Sequence, residues 1–492
     1  MMAVHYPALF QINTRVWLTR LGRRLGRPAS LDDIDDAALD RIADLGFDWV
    51  WLLGVWQTGE AGRAVSRSHP GWREEFRRAL PDLRDDDICG SAFAVSGYSV
   101  HRALGGPDAL ARLRERMRRH GLALMLDFVP NHTAPDHPWV EENPDFYING
   151  TDADLERAPE NWIRLETGAG PSVIAHGRDP YFPGWPDTLQ LDFSNGDLRE
   201  AQRRELVAIA GQCDGVRCDM AMLMLPEVFR RTWGRTAEPF WPEAIAEVRR
   251  VRPGFTFMAE VYWNLEWSLQ QDGFDYTYDK RLYDRLRERN AAGVRDHLVA
   301  DLDFQNKLAR FLENHDELRA AEVFPLPVHR AAAILTYVSP GLRFFHQGQL
   351  EGRKIRIPMH LCRGPDEAAD PVIEAFYGRL LALLKRPVFR NGSWRRIDPR
   401  PVADDNRTYE GFVAFAWTGL DGERILAVVN YAHAAGQCRL PLAFMELRRK
   451  TVRLVDLMSE VRYERSGDEL SAAGLYVDMP PWAYHLFELA AS

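Results

Sequence analysis

Short apolar segments alternate with amphipathic helical patterns along about the first four-fifths of the chain. The segment FDWVWLLGVW at residues 47–56 is almost continuously apolar, which is typical of a parallel strand covered on both faces. Strand patterns of this kind occur at residues 9–18, 47–56, 122–132, 213–219, 255–263, 273–279, 308–317 and 341–348. Repeated strand–helix units predict an α/β fold, and their number favours a closed (β/α)8 TIM barrel over an open sheet.

Residue types that favour helix starts mark several of the connecting helices. Ser30 and Asp33 form a predicted capping box before one helix, and Asp197 and Glu200 form another before a helix at 197–210. These assignments place a helix after each strand, as a barrel requires.

Two long polar segments interrupt the alternation. Residues 57–96 show no strong period and contain many Gly, Pro, Arg and Asp, and residues 133–195 are rich in Pro, Gly, Asn and Trp. Long insertions into a compact domain are usually functional or disordered. We interpret 133–195 as an irregular subdomain inserted after the third strand.

The pattern changes once more near residue 387. Short alternating segments such as FVAFAW and RILAVVNYA follow, separated by turn residues, and they predict an all-β sandwich domain at 388–492. The catalytic barrel is accordingly expected to comprise residues 1–132 and 196–387.

Composition narrows the classes of function. The chain has 492 residues, of which 46% are hydrophobic and 27% charged, and a net charge of -9, which argues against nucleic-acid binding. Its five cysteines lack CxxC spacing, so neither disulfides nor a zinc site are indicated. The N-terminus shows no signal-peptide pattern and no segment reaches the length of a membrane span, so we expect a cytoplasmic protein with a neutral or small partner. The oligomeric state is left open.

Polar groups follow several of the predicted strands. Barrel enzymes build their sites where strands end, so side chains remote in sequence are expected to converge there. The groups concerned are Asp127, Asn131, His132, Arg217, Asp219, Glu260, His315 and Asp316. Because four carboxylates in one cleft repel each other, such clustering favours a functional site over a structural one.

Two of these carboxylates suit complementary roles. Strand side chains repeat every second residue, so Arg217 and Asp219 point the same way, and the arginine holds the carboxylate ionised. A buried structural ion pair is the alternative interpretation of this pair alone. Glu260 lies in an apolar context, FMAEVYW, which raises its pKa. Carboxylates about 5 to 5.5 Å apart would act as nucleophile and acid/base of a retaining glycosidase.

Several motifs together resemble the α-amylase family of retaining α-glycosidases. DFVPNH, GVRCD, the strand ending in Glu260 and FLENHD resemble the four short conserved regions of that family, in its order. FDWVWLLGV resembles its second barrel strand, GYSV its tyrosine-bearing loop, and QLDF its short motif before strand four. The resemblance spans the barrel and the β-domain.

The resemblance implies a role for each matching residue. It implies Asp219 as nucleophile, Glu260 as acid/base and Asp316 as a third carboxylate that binds sugar hydroxyls. The other implied roles are Arg217 orienting the nucleophile, His132 and His315 hydrogen-bonding the sugar, Tyr98 stacking on its ring, and Asp127 supporting the group. Each of His132, His315 and Tyr98 could also be a packing residue.

The chain departs from the family pattern near its calcium site. Many amylases carry a Lys-His pair three and four residues after the nucleophile, where this chain has Met222 and Leu223. Asn131 matches a frequent calcium ligand, but its companion is missing, so calcium is not supported, although a calcium requirement stays open, and we expect no other cofactor. The segments 57–96 and 133–195 would wall the site into a pocket for a terminal glucosyl unit or a disaccharide.

Three functions remain open at this point. The first is hydrolysis of α-glucosidic bonds in short oligosaccharides or α-glucosides. The second is transfer of the same glycosyl intermediate to a sugar or phosphate, as in transglycosylases, isomerases and phosphorylases, since relative access of water and acceptor decides between them. The third is non-catalytic sugar binding on the same fold. Substrate, linkage, and endo or exo action are not fixed by the sequence.

Overall fold

The computed structural model describes residues 4–442 and 448–491. Its strands, numbered along the chain, are β1 (Ala8–Asn13), β2 (Trp49–Leu53), β3 (Trp56–Thr58), β4 (Val95–Val100), β5 (Ala123–Phe128), β6 (His132–Thr133), β7 (Trp162–Thr167), β8 (Gly170–Ala175), β9 (Leu189–Gln190), β10 (Gly215–Cys218), β11 (Thr256–Ala259), β12 (Tyr276–Tyr278), β13 (Leu308–Arg310), β14 (Leu342–His346), β15 (Ser393–Ile397), β16 (Phe412–Thr418), β17 (Arg424–Asn430), β18 (Gly436–Leu440), β19 (Thr451–Asp456), β20 (Arg462–Ser466), β21 (Leu475–Met479) and β22 (Tyr484–Ala491).

Helices connect these strands throughout the barrel and occur in the inserted segments as well. They are α1 (Thr14–Leu25), α2 (Asp36–Asp44), α3 (Glu60–Ser68), α4 (Pro70–Ala79), α5 (Gly106–Arg119), α6 (Trp139–Glu142), α7 (Asp152–Arg157), α8 (Gly196–Gln212), α9 (Pro226–Trp233), α10 (Trp241–Val251), α11 (Glu266–Gln271), α12 (Lys280–Arg287), α13 (Ala291–His297), α14 (Leu302–Asn306), α15 (Ala320–Val323), α16 (Leu326–Tyr337), α17 (Pro371–Leu384), α18 (Pro387–Asn391) and α19 (Gly467–Ala472).

Eight parallel strands close into a barrel in the order β1-β14-β13-β12-β11-β10-β5-β2, which confirms the predicted fold class. The register pairs Arg217 of β10 with Asp127 of β5 and with Met258 of β11. Because the strands are parallel and in register, Asp219 and Glu260 both emerge from the same end of the barrel. The predicted convergence of polar groups is therefore a direct consequence of strand pairing.

Several predicted boundaries differ from the structure, and two of them differ because a side chain caps a helix. The first strand ends at Asn13 rather than near residue 18, since the Asn13 side chain accepts a hydrogen bond from Val16 N and starts α1. Asn195 caps α8 by accepting from two backbone amides, a role that the sequence had suggested for Asp197 with Glu200.

The capping box of Ser30 and Asp33 is present but encloses only a single 3-10 turn. The α-helix begins one turn later at Asp36, where the Asp35 side chain accepts from Ala38 N. Two caps in succession thus allow the chain to turn before the helix packs against the barrel.

The two polar interruptions are more regular than the sequence indicated. Residues 57–96 contain α3 and α4, which lie between the antiparallel partners β3 and β4, and residues 133–195 contain the hairpin of β7 with β8. The helix α4 packs Phe76 onto a small separate apolar cluster with Ile88 and Leu361. Because this cluster is small, residues 57–96 contain few apolar positions. The helical period of apolar residues was therefore not visible in that segment of the sequence.

The C-terminal residues form two antiparallel sheets, ordered β15-β16-β17-β22-β19-β20 and β18-β21. Alternate residues of β17 face opposite ways: Leu426 and Val428 join the core between the sheets, whereas Ala427 and Val429 join the barrel core. This packing confirms an all-β C-terminal domain and fixes one sheet against the barrel. The exact domain limits stay a prediction.

The cysteines and the helices give two further observations. All five cysteines are free. None of the helices in the described ranges combines the length and the apolar character needed to cross a bilayer. Residues 1–3 begin the N-terminal segment in which no signal-peptide pattern was found. They lie outside the described residues.

Arg343 of β14 joins three parts of the chain, a role that the sequence did not indicate. Its guanidinium donates to the backbone carbonyls of Tyr6 at 2.6 Å, Tyr337 at 2.8 Å and Phe389 at 2.7 Å. The side chain is buried. It therefore fastens the segment before β1 and the helix α18 to the barrel.

We predict that Arg343→Met lowers the stability of the protein by at least about 3 kcal/mol, because each of the three buried carbonyls left without a donor costs about 1–3 kcal/mol. The measurement is the midpoint of thermal unfolding. Arg118→Met is the control, since Arg118 is exposed on α5 and its guanidinium pairs with Glu115 of the same helix. Equal midpoints for both variants would contradict the assigned role.

Candidate active site

A single arginine bridges the two carboxylates predicted to do the chemistry. Arg217 lies in β10, and its Nη1 donates to Asp219 Oδ1 at 2.5 Å while its Nη2 lies 2.7 Å from Glu260 Oε2. Its Nε donates to the hydroxyl of Tyr278 at 3.3 Å. The guanidinium thus fixes the two carboxylates relative to each other.

The surroundings of this cluster exclude water from the arginine. The Arg217 side chain is 1% exposed, and its guanidinium lies 5.3 Å from the ring centroid of Trp51, 5.1 Å from Phe93 and 5.7 Å from Tyr278. A charge buried this way is costly unless it is paired, so the arginine needs both carboxylates as counter-ions.

Glu260 accepts two further hydrogen bonds. Met220 N donates to Oε2 at 2.8 Å, and the hydroxyl of Tyr262 donates to Oε1 at 2.7 Å. Burial raises the pKa of Glu260, the positive charge of Arg217 acts against this, and the negative charge of Asp219 adds to it. The balance leaves a carboxyl that holds a proton more readily than an ordinary glutamate, as a general acid requires.

Met220 adopts an unusual backbone conformation to reach Glu260. Its φ is 42° and its ψ 44°, in the left-handed region that residues with a side chain seldom adopt. This turn directs the amide of Met220 at Glu260 immediately after Asp219. Backbone strain of about 1–3 kcal/mol is typical at functional sites, where the surrounding packing maintains it.

The third carboxylate lies beside a neutral histidine. His315 Nε2 lies 3.0 Å from Asp316 Oδ2, and its Nδ1 lies 2.8 Å from the side-chain amide nitrogen of Gln11. Because Gln11 donates to Nδ1, the proton of the ring is on Nε2, facing Asp316. Burial holds the pKa of His315 well below its usual value. Burial and the charge of Glu260 raise the pKa of Asp316.

Asp127 lies behind this cluster rather than in the cavity. Its carboxylate accepts from Trp51 Nε1 and from Gly54 N, both at 3.0 Å. Burial raises its pKa to about 7, against the opposing charge of Arg217. Asp127 pairs in register with Arg217 on the neighbouring strand, and its supporting role stays a prediction.

Tyr98 is placed differently from the expectation. Its hydroxyl exchanges hydrogen bonds with the backbone of Val129 at 3.0 Å, and its ring packs against Trp56 and Phe128. The cavity is lined by Phe93 instead. A stacking role on a sugar in this cavity therefore does not fit Tyr98, which packs one segment onto the barrel.

A cavity of about 380 Å³ opens above the carboxylates. It is lined by side chains from both polar interruptions and from a later loop, as follows: Trp72, Ser91, Phe93, His132, Trp185, Asp187, Thr188, Asp219, Met220, Glu260, Tyr262, Asp316, Met359 and His360. The two interruptions form walls of the site in the way the sequence suggested. Of the predicted residues, Asp219, Glu260, Asp316 and His132 face this cavity.

Several lining residues escaped the sequence analysis. Tyr262 could have been found, because it lies two residues after Glu260 within the predicted strand 255–263, in which alternate side chains point the same way. Phe93, Asp187 and His360 come from segments without a recognisable period, and no pattern indicated that they meet.

A comparison of the sequence with known protein families agrees with the observed barrel and its carboxylates. The family model of the α-amylase catalytic domain matches residues 34–224, which include β2, β5 and β10. Residues 34–224 are thus similar to the catalytic domain of the α-amylase family. The resemblance inferred from the motifs is thereby confirmed.

Relatives within the α-amylase family differ in their activities. Alpha-amylase 3 of Dictyoglomus thermophilum is 22% identical over 296 residues, covering 56% of each chain. The alpha-1,4-glucan:maltose-1-phosphate maltosyltransferase of Salinibacter ruber is 32% identical over 210 residues, covering 36% of this chain and 30% of that one. The chain thus spans about half the length of the first relative and less than a third of the second.

A solved structure of the family shares the fold over almost the whole chain. The noncanonic maltogenic alpha-amylase AmyB from Thermotoga neapolitana superimposes with a TM-score of 0.70 at 17% identity, covering 98% of both chains. At this identity the likeness concerns the fold.

The family's calcium position does not fit a metal in this chain. The side-chain oxygen of Asn131 accepts from Gln190 Nε2 at 2.9 Å, and the Asn131 amide donates to Gln190 Oε1 at 3.2 Å. Met222 and Leu223 are buried and apolar. Within residues 4–442 and 448–491, no cluster of three or more His, Cys, Asp or Glu side chains is arranged to hold an ion. The side-chain oxygen and the side-chain nitrogen of Asn131 are thus both engaged by Gln190.

We predict that Tyr262→Phe moves the basic limb of kcat/KM to higher pH by less than about one unit. The lost hydrogen bond stabilises ionised Glu260 by about 1 kcal/mol, so its loss raises the pKa and keeps the acid protonated further into the basic range. The measurement is a pH profile. Tyr181→Phe is the control, because Tyr181 is exposed. An unmoved limb would mean that another group sets it.

We also predict that a chelator leaves the protein unchanged. Incubation with excess EDTA should alter neither the thermal midpoint nor the turnover rate, because the amide pair of Asn131 and Gln190 needs no ion. Addition of calcium afterwards serves as the control. A fall in midpoint that calcium restores would contradict this account.

Proposed function

We propose that the protein is a retaining α-glycosidase that hydrolyses α-glucosidic bonds in short oligosaccharides or α-glucosides. The observation that carries the proposal is the bridge from Arg217 to Asp219 and Glu260 at the floor of a cavity. A bridge by one guanidinium holds the carboxylates at the close spacing that suits a retaining mechanism.

In the first step Asp219 attacks the anomeric carbon while Glu260 donates a proton to the departing glycosidic oxygen. Asp219 is the better nucleophile because Arg217 stabilises its negative charge, and Glu260 is the better acid because burial raises its pKa. A covalent glycosyl–enzyme forms and the leaving sugar departs.

In the second step Glu260 acts as a base. It removes a proton from water, which attacks the anomeric carbon and breaks the bond to Asp219. Asp316 and the Nε2–H of His315 lie side by side, so together they offer an acceptor and a donor to neighbouring hydroxyls of the same sugar.

The walls of the cavity favour small substrates. Trp72 and Trp185, from the two polar interruptions, both line a space of about 380 Å³. A long glucan would need an open groove on both sides of the scissile bond. We therefore propose action on a terminal glucosyl unit or a disaccharide.

Transfer of the glycosyl unit to an acceptor is the second candidate function. It is favoured by the maltosyltransferase relative at 32% identity over 210 residues. The covalent intermediate on Asp219 would be the same, and access of an acceptor instead of water would decide the product.

We predict that wild-type protein converts at least one member of a panel of α-glucosides, and that Asp219→Ala lowers the rate by at least about 10³-fold, because a nucleophile is removed. Products are followed by chromatography with and without phosphate or free sugars. Free glucose supports the hydrolase, and new glycosides or sugar phosphates support transfer.

Two controls sharpen this experiment. Glu166→Gln changes an exposed carboxylate of β7 and should leave the rate unchanged. Glu260→Ala should lose less activity on a substrate whose leaving group needs no proton, such as α-glucosyl fluoride, than on maltose. Full activity of Asp219→Ala would overturn the proposed mechanism.

A further inference from the structure

The cavity contains a further carboxylate, Asp187, that belongs to none of the family motifs. It occupies the third position of a tight turn, in which Thr188 N donates to Trp185 O at 3.0 Å and Pro186 fills the second position. The turn is fixed from outside, since Trp185 N donates to Gly177 O at 2.8 Å. The turn therefore presents Asp187 from a rigid backbone.

The two walls of the cavity meet at this turn. A Cβ added to Gly62 of α3 would lie 3.3 Å from Asp187 O and 3.7 Å from Asp187 Cβ. Only a small residue allows α3 to approach so closely. The position of Asp187 is thus set by packing between residues 57–96 and residues 133–195.

The side chain of Asp187 lacks a protein partner for one oxygen. Asp187 is 3% exposed, and its Oδ2 has no hydrogen-bond partner among the described residues. The neighbouring carboxylates differ in this respect: Asp219 accepts from Arg217, and Glu260 accepts from Met220 and Tyr262. A buried acceptor without a donor is destabilising, which favours a ligand that supplies the donor.

A histidine faces Asp187 across the cavity wall. His360 Nε2 lies 3.6 Å from Asp187 Oδ2, which is too long for a hydrogen bond. The His360 ring packs on Trp72 at 4.6 Å and on Phe76 at 5.5 Å between centroids, so it is held in place. Two fixed polar groups therefore converge on one point of the cavity without satisfying each other.

We propose that Asp187 and His360 form a second sugar-binding point in the cavity. Asp187 Oδ2 accepts a hydrogen bond from a substrate hydroxyl, and His360 Nε2 bonds to the same hydroxyl or to its neighbour on the ring. The inference rests on the proposed function, because it takes the ligand to be a neutral α-glucoside. Asp187 thereby determines which sugar unit the pocket accepts, whereas Asp219 and Glu260 determine the chemistry.

The test is a double-mutant cycle in which a substitution in the protein is combined with removal of one hydroxyl group from the substrate. Wild type, Asp187→Ala and Asp187→Asn are assayed with maltose and with a set of monodeoxy maltosides. We expect Asp187→Ala to lower kcat/KM for maltose by about 10- to 100-fold, mainly through KM, with a smaller loss for Asp187→Asn. For one deoxy substrate, the kcat/KM of wild type should be about tenfold lower than for maltose. With Asp187→Ala, the kcat/KM for this deoxy substrate should equal that for maltose.

Other outcomes separate this inference from the proposed function. Glu166→Gln is the matched control and should behave as wild type, and thermal midpoints verify that each variant is folded. If wild type hydrolyses maltose but Asp187→Ala loses the same factor on every substrate, or loses nothing, the sugar-binding role is overturned while the hydrolase stands.

A binding measurement covers the remaining case. If wild type turns over no α-glucoside, the proposed function fails, and calorimetry with maltotriose then tests the binding point directly. A Kd at least about tenfold weaker for Asp187→Ala than for wild type supports the point. Equal affinities, or no binding by either protein, overturn it.

Discussion

The site depends on the burial of one positive charge. Arg217 is 1% exposed and lies among three aromatic rings, so its guanidinium cannot be solvated by water. Asp219 and Glu260 are the counter-ions that make this burial tolerable, and the strand register brings both within its reach. The same electrostatic requirement that stabilises the fold therefore places the two carboxylates for chemistry.

The cluster carries more negative than positive charge, and this excess has a consequence for proton binding. One arginine faces Asp219, Glu260, Asp316 and, from below, Asp127. Burial raises the pKa of Asp127, Glu260 and Asp316. Bound protons therefore neutralise the negative charge that the single arginine does not balance. A site of this kind holds a proton on a carboxyl group that can act as an acid, while Arg217 stays hydrogen-bonded to Asp219.

The sequence was sufficient where the regular geometry and pairing of strands decide the outcome. The two-residue period of a strand placed Arg217 beside Asp219, and the pairing of parallel strands brought Glu260 to the same end of the barrel. The boundaries failed where one side chain decides, as at Asn13, which caps α1 and ends the first strand. The expected stacking of Tyr98 on a sugar does not fit for a related reason. Its motif does not reveal that its hydroxyl binds the backbone of Val129.

Contacts between remote segments explain why the rest of the site could not be predicted. His360 Nε2 lies 3.6 Å from Asp187 Oδ2, although most of the barrel separates the two residues in sequence. Gly62 determines how closely the two walls of the cavity approach. No periodicity encodes such contacts, because they depend on how two irregular segments pack on each other. The barrel strands thus fix the reaction that the site can perform, while the packing of the interruptions fixes the substrate it admits. Substitutions at the walls can consequently change the substrate without disturbing the carboxylates that surround Arg217.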